Sequence, residues 1–123
     1  MATLNDRVFD NGLTVLDTEA NRIDITSQEA TSYAEATSTY TLGNSTSLSI
    51  GAPQDRSGGG REVVVAAITD GSVTSTGTAT HYAIVDTVNS RLLATGSLTA
   101  SQSVTSGNTF TLSSVAIGIP DPA

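Results

Sequence analysis

The chain has 123 residues, a length that predicts a single domain able to bury a modest core. Twelve acidic residues against five arginines and no lysine give a formal net charge of -7, and a surface this acidic repels nucleic acid and anionic membranes. The absence of cysteine and lysine also excludes thiol nucleophiles, thiolate metal sites, disulfides and Schiff-base chemistry.

The side-chain inventory is typical of a thin β structure. Twenty Thr and sixteen Ser suit the exposed faces of strands, whereas three Tyr, two Phe and no Trp leave few groups for a thick core. We therefore predict an all-β fold, a small sandwich or jelly-roll-like module of short antiparallel strands with at most one short helix. Residues 1–123 form one β domain in this interpretation, with extended arms at residues 1–12 and 118–123.

The first quarter of the chain predicts a hairpin, a strand and a short helix. Asn11-Gly12 separates two apolar runs and suits a tight hairpin turn, and a strand follows around Ile23 and Ile25. The segment TSQEATSYAEAT is the only helix candidate, because Thr26 and Glu29 have capping-box spacing. Its weak helix formers limit it to one or two turns or an irregular connection.

The middle of the chain predicts strands separated by glycine-containing turns. Gly43-Asn44 and Asp70-Gly71 mark two of these turns, and GAPQDRSGGGRE predicts an exposed, mobile loop. The run from Val63 to Ile68 has no alternation, so we expect a strand covered on both faces, by the sandwich or by a neighbouring subunit.

The last third continues in strands. SVTSTGTATHYAIVD is strand-like, with Gly77 at a bulge or a close backbone approach, and RLLATGSL follows a turn at Asn89-Ser90. Residues 106–108 predict a hairpin loop between Val104 and Phe110. The apolar phase then switches by one residue, which requires a bulge or an edge crossing near Ser113-Ser114.

One cluster resembles catalytic machinery. His81, Tyr82 and Asp86 lie close together in sequence, but His81 and Asp86 on one extended strand would be roughly 16 Å apart and on opposite faces. No G-x-S-x-G pattern supplies a nucleophile. We therefore predict no catalytic residues and no enzymatic activity, and interpret His81 and Tyr82 as packing residues.

The sequence also gives little support for a metal, phosphate or sugar site. Asp17, Glu19 and Asp24 surround a predicted turn and offer oxygen ligands of the kind calcium accepts, but their spacing matches no EF-hand loop. SGGGRE lacks the strand-to-helix context of a phosphate-binding loop, and the few aromatic residues argue against a glycosidase cleft. We predict no metal site, no cofactor-binding residue and no cofactor.

The C-terminal third resembles small structural proteins encoded among the morphogenesis genes of tailed bacteriophages and related prophage or gene-transfer particles. The shared pattern is A-T-H-x-A-x-x-D, then x-L-L-A-x-G-x-L, then x-V-x-x-G-N-T-F-T-L. It corresponds here to Ala79 to Asp86, Arg91 to Leu98 and Val104 to Leu112. The pattern covers about a third of the chain and is one of packing, not catalysis.

The resemblance implies a non-enzymatic virion component, made in the host bacterial cytoplasm, that assembles with copies of itself and with a major capsid or tail protein. A decoration or head-fibre protein on the capsid exterior is favoured, because the chain lacks a repetitive fibre shaft and an aromatic-rich receptor-binding tip. A tail or tail-fibre location is the alternative. A glycan- or surface-binding module, with Tyr33, Tyr40 or Tyr82 stacking on sugar, is another.

Overall fold

The computed structural model describes residues 6–119, and side chains from residue 11 onward. The all-β prediction is confirmed: described residues form nine strands in two antiparallel sheets, with one α-helix and one π-helical turn. The elements are α1 (Asp6–Glu19), β1 (Arg22–Thr26), the π turn (Glu35–Thr39), β2 (Thr41–Ser45), β3 (Gln54–Asp55), β4 (Arg61–Val65), β5 (Ile68–Val73), β6 (Gly77–Asp86), β7 (Arg91–Val104), β8 (Thr109–Leu112) and β9 (Val115–Ile119).

The chain divides into two compact units, each made of segments distant in sequence. The first contains the residues up to 19, residues 49–67 and those from 113 onward, and the second contains residues 20–48 and 68–112. The prediction of one domain over residues 1–123 stays a prediction. Of the predicted arms, residues 1–5 and 120–123 lie outside the described residues, whereas residues 6–12 are helical and residues 118–119 belong to β9.

The second unit is built on a curled six-stranded sheet with the strand order β7-β6-β1-β2-β5-β8. The predicted strand at Ile23 and Ile25 is confirmed as β1, and it pairs with β6 so that Ile23 opposes Ile84 and Ile25 opposes Tyr82. Directly opposed residues of an antiparallel pair share a face. These side chains therefore form one buried face of the sheet.

The other face of β1 and β6 is covered by the connection that contains the π turn. Ala30 and Ala36 pack against Ala83 and Val85 of β6, and all four are buried. The short helical segment expected here is confirmed, but its predicted capping pair is wrong because Thr26 belongs to β1.

The residues that organise the start of this helical segment lie a few positions later in the chain. Ser32 Oγ accepts a hydrogen bond from the backbone N–H of Glu35 at 3.1 Å. The Glu35 carboxylate accepts from the backbone N–H and the hydroxyl of Thr31, and these bonds lower the pKa of Glu35. The Ser32 bond is one half of a Ser-x-x-Glu capping box, and Glu35 bonds to Thr31 where the other half would bond to the Ser32 N–H.

Two glycines predicted in turns lie inside strands. The predictions of turns at Gly43-Asn44 and Asp70-Gly71 are wrong, because these residues lie within β2 and β5. A methyl group added to Gly43 would clash with the backbone carbonyl of Ser72, and one added to Gly71 would clash with the ring of Phe110. Both glycines therefore permit close approach within the sheet. Gly77, where close approach was predicted, has Leu42 Cδ2 3.0 Å from the corresponding position.

The predicted hairpin between Val104 and Phe110 is also wrong in its pairing. β8 pairs with β5, and β7 pairs with β6, so these consecutive strands are the two edges of the curled sheet. Gln102 bridges the two edges by donating a 2.7 Å hydrogen bond to the carbonyl of Thr111.

The edge crossing predicted at residues 113–114 is confirmed, because the chain passes there from β8 of the six-stranded sheet to β9 of the three-stranded sheet.

The first unit contains the three-stranded sheet β3-β4-β9 and helix α1, which contacts β4. The hairpin predicted at Asn11-Gly12 is wrong, since α1 runs through it. The hairpin would place Leu13 and Val15 on one face, but Val15 is exposed, and the buried pair is Leu13 and Leu16, which lie three residues apart on one face of the helix. Packing of that face overrides the local turn signal.

Replacement of Gly12 by Ala tests this helix. Because the new Cβ would lie 3.7 Å from Ile119 Cδ1, an ordinary contact, Ala fits, and we expect the free energy of unfolding to rise by about 0.5–1 kcal/mol. Amide hydrogen exchange in α1 and thermal unfolding followed by far-UV circular dichroism measure the effect. A hairpin with positive φ at residue 12 would instead be destabilised by Ala.

The glycine-rich stretch is the tip of a β3–β4 hairpin. Gly58, Gly59 and Gly60 all have positive φ, and the backbone N–H of Arg56 donates to the carbonyl of Gly60 at 3.1 Å. The strand predicted over Val63 to Ile68 is shorter than expected. It ends at Val65, and residues 66–67 are exposed, so the prediction of a continuous strand covered on both faces is wrong within the described chain.

Candidate functional site

The polar residues that the sequence singled out lie on β6 and in the turn that follows it. His81 is half-buried, and its Nδ1 lies 2.8 Å from the hydroxyl of Thr80. The Thr80 hydroxyl donates to the carbonyl of Ser27 at 3.0 Å. Since a hydroxyl has one proton to donate, the contact with His81 requires Nδ1–H as the donor when the Thr80 proton is directed to Ser27.

Asp86 closes the β6–β7 turn. Its buried carboxylate accepts hydrogen bonds from the backbone N–H of Val88 at 2.9 Å and from the side-chain amide of Asn89 at 2.8 Å. Asn21, which precedes β1, makes two hydrogen bonds to Thr87 of the same turn. The side-chain amide of Asn21 donates to the Thr87 hydroxyl, and its side-chain carbonyl oxygen accepts from the Thr87 backbone N–H. The turn presents Val88 with 82% of its surface exposed.

The ionisation of Asp86 makes this turn sensitive to pH. The pKa of Asp86 is lowered, first by the Asn89 side-chain hydrogen bond and then by backbone N–H groups and the charge of Arg91, against the opposing effect of burial. A carboxyl whose pKa is lower in the folded state stabilises the fold above its unfolded pKa of about 3.9, and this stabilisation is lost as the pH falls through the folded value.

We therefore expect wild-type protein to lose more stability between pH 7 and acid than the Asp86→Asn variant. Urea unfolding followed by tyrosine fluorescence measures the difference, since all three tyrosines belong to the second unit. Other carboxyl groups are common to both proteins and cancel in the comparison. Equal losses in the two proteins would contradict a stabilising role for the ionised carboxylate.

Tyr82 has a packing role. Its side chain is 8% exposed, and its ring lies across Gly96 of β7, where an added methyl group would come within 2.6 Å of the ring. Burial raises the pKa of Tyr82. The ring of Tyr82 covers the backbone of a glycine in the edge strand β7. Near the opposite edge of the sheet, the ring of Phe110 in β8 covers Gly71 of β5 in the same way.

The candidate triad and the candidate metal ligands are engaged separately. His81 bonds to Thr80 and Asp86 bonds to its own turn, five residues further along β6. Asp17 and Glu19 belong to α1 in the first unit, whereas Asp24 lies in β1 of the second. Among the described side chains, those of residues 11–119, no three His, Asp or Glu groups lie together in a way that could hold a metal ion.

The most buried charge is one that the sequence suggested as a metal ligand. Asp24 is 0% exposed, and Arg22 donates to its two carboxylate oxygens through Nε at 2.7 Å and Nη2 at 2.8 Å. The hydroxyl of Thr41 on β2 donates a third bond at 2.6 Å. The hydrogen bond to Asp24 raises the pKa of Arg22 against the effect of burial. The spacing R-x-D on a strand was the available signal, because residues two apart share a face.

Thr26 adds a second buried polar group beside this pair. Its hydroxyl is fully buried on the same side of β1 as Asp24 and has no hydrogen-bond partner among the described residues. His81 is its directly opposed residue on β6. These side chains make this face of β1 polar beneath the helical connection. The bonds to Asp24 stabilise the sheet, whereas a buried hydroxyl without a partner, as at Thr26, costs stability.

The remaining tyrosines pack on the buried alanine cluster. Tyr33 and Tyr40, in the helical connection, are partly buried against this cluster, which consists of Ala30, Ala36, Ala83 and Val85.

Within residues 6–119, no helix combines the length and the hydropathy that a membrane crossing requires. Comparison of the chain with protein-family models, with curated proteins and with solved structures found no match.

Proposed function

We propose that the protein is a non-enzymatic structural component of a tailed-phage virion, most directly a decoration or head-fibre protein on the capsid exterior, that works by oligomeric assembly. The proposal rests on the resemblance of the C-terminal third to virion proteins, and it is supported by the packing role that this pattern has in the structure. That pattern covers β6, β7 and β8, and its members are the residues that fix these strands.

Particular residues illustrate this role. Ala79, Phe110 and Leu112 are buried, Gly96 lies beneath the ring of Tyr82, and Asp86 closes the β6–β7 turn. Residues that resemble reactive groups are therefore used for packing and turn formation. A protein built in this way acts through its surface and its copy number.

The test is binding to particles. Capsids and tails are purified separately from tailed-phage lysates of the bacterium that encodes the protein, and light scattering measures the mass of each after titration with purified protein. We expect saturation of capsids at a fixed ratio. Saturation of tails alone would favour a tail or tail-fibre protein, and binding to neither would contradict a virion role.

A glycan-binding role has less support from the geometry. Tyr82 is buried with its ring against Gly96 and is not accessible to a sugar, whereas Tyr33 and Tyr40 are partly buried against Ala30, Ala36, Ala83 and Val85. Glycan-array binding that is abolished by a calcium chelator would nevertheless replace the virion proposal with this one.

A further inference from the structure

Charge is distributed unevenly between the body of the protein and its sheet edges. Residues 92–120 contain no charged side chain, although the whole chain carries twelve carboxylates and five arginines. This neutral segment supplies β8, β9 and all of β7 except its first residue, Arg91, and these are three of the four edge strands of the two described sheets. Natural sheets normally protect their edges from pairing with other chains by charge, proline, bulges or short length.

Three of the four edges carry such protection. β3 has two residues, follows Pro53 and contains Asp55. β8 has four residues, pairs irregularly with β5 and is bridged to β7 by Gln102. β7 is long, but two register shifts interrupt its pairing with β6, and the residues between Ser97 and Gln102 lack a β6 partner.

β9 lacks these protections. All five of its residues pair with β4 in unbroken register, from Val115 opposite Val65 to Ile119 opposite Arg61, and no other described strand pairs with β9. It contains neither charge nor proline. Ile119 at its end is 37% exposed, so within residues 6–119 the edge combines backbone groups that have no strand partner with apolar surface.

The strand is complementary to itself. In an antiparallel pair centred on Ile117, Val115 of one copy opposes Ile119 of the other, and Ala116 opposes Gly118. Large side chains then meet on one face and small ones on the other. A two-fold axis requires that kind of match, because the same surface must serve both partners.

Charge favours a second copy at this edge. Two molecules that each carry a net charge of -7 repel one another unless they meet where carboxylates are absent. Charged side chains lie on the β3–β4 side of β9: Arg56 lies across Gly118, Glu62 of β4 opposes Gly118, and Arg61 pairs with Asp55 at 2.8 Å. The carboxylate of Glu62 is therefore one strand away from the edge. Pairing of two β9 edges therefore brings no acidic side chain of β9 into contact with another.

We propose that β9 is a homodimerisation edge, at which two copies of the protein join their three-stranded sheets into one continuous antiparallel sheet about a two-fold axis at Ile117. The inference deepens the proposed function, on whose oligomeric assembly it rests, by naming the assembling surface. A five-residue edge spans about 17 Å, which is small for a stable interface, so the dimer is concentration-dependent and reinforced where many copies are held on one particle.

The first experiment compares two lysine variants of purified protein by sedimentation equilibrium. Ala116→Lys places a charge on the β9 edge, and Ala67→Lys places the same charge at an exposed alanine of the same unit away from that edge. We expect wild type and Ala67→Lys to dimerise equally, and Ala116→Lys to dimerise roughly tenfold more weakly. Circular dichroism verifies that both variants are folded.

The second experiment tests the pairing of two β9 strands directly, by disulfide cross-linking. Because the chain has no cysteine, an introduced one can form a disulfide only with another copy. Ile117→Cys on the two-fold axis should cross-link under oxidation faster than the control Ala67→Cys, since opposed strand residues lie within disulfide distance. Wild type that stays monomeric to about 1 mM, or equal cross-linking by the two cysteines, would overturn the proposal.

The outcomes separate this inference from the virion role. A protein that saturates capsids as a monomer, with Ile117→Cys cross-linking to a capsid protein instead of to itself, overturns the β9 dimer and leaves the virion role standing. A protein that dimerises through β9 but binds neither capsids nor tails supports this inference and contradicts the virion role.

Discussion

Replacement of Arg22 by Met is expected to lower the free energy of unfolding by about 3 kcal/mol, because it leaves the Asp24 carboxylate buried without its counter-ion. Asp24 is 0% exposed and the Arg22 side chain is 22% exposed. Without the guanidinium, the carboxylate retains only the hydrogen bond from Thr41 among its present partners. The cost is that of an uncompensated charge in the sheet, not that of a surface ion pair.

Urea unfolding followed by tyrosine fluorescence measures this loss. Glu29→Gln is a matched control in the same unit, since it removes an exposed charge and should change stability by no more than about 0.5 kcal/mol. The double variant Arg22→Met/Asp24→Leu should be more stable than Arg22→Met alone, because it removes the orphaned charge. An Arg22→Met effect no larger than that of Glu29→Gln would contradict the buried pair.

Replacement of Gly43 by Ala is expected to cost about 3 kcal/mol, because the new methyl group meets backbone and not a movable side chain. Gly43 lies in β2 between β1 and β5, and its Cβ would clash with the carbonyl of Ser72 and lie 3.0 Å from Val73 Cα. Neither atom can move without separating β2 from β5. The strands would have to shift along the whole pairing.

Gly77→Ala provides the comparison within the same unit. Its Cβ would lie 3.0 Å from Leu42 Cδ2, the end of a flexible side chain, so we expect a loss of about 1 kcal/mol or less. Both variants are measured by urea unfolding with tyrosine fluorescence. If the two glycines proved equally tolerant, the close approach of β2 and β5 at Gly43 would be wrong.

The residues of the candidate site were found from the sequence, but most of their contacts were not. His81, Tyr82 and Asp86 were recognised as a cluster, and the strand that carries them was placed correctly as β6. The hydrogen bonds of Asp86 to its turn are local and follow from an Asp at the end of a strand before a turn. The ring of Tyr82 over Gly96 depends on the register of β6 and β7, which no local pattern specifies.

The contacts of the charged residue Asp24 could not be predicted from the sequence either. From sequence it was one of three carboxylates near a predicted turn. In the fold it lies in β1, whereas Asp17 and Glu19 lie in α1. A side chain's partners are set by the elements that cover it, and here Arg22 and Thr41 occupy the carboxylate.

The sequence by itself determined the antiparallel β class, the strand around Ile23 and Ile25, the short helical connection and the edge crossing at residues 113–114. These depend on alternation and its interruptions, which are properties of neighbouring residues. Only the tertiary structure decided that Asn11-Gly12 lies in a helix and that Gly43 and Gly71 lie in strands. A glycine suits both a turn and a close approach, and the choice depends on whether a distant strand or ring lies against it.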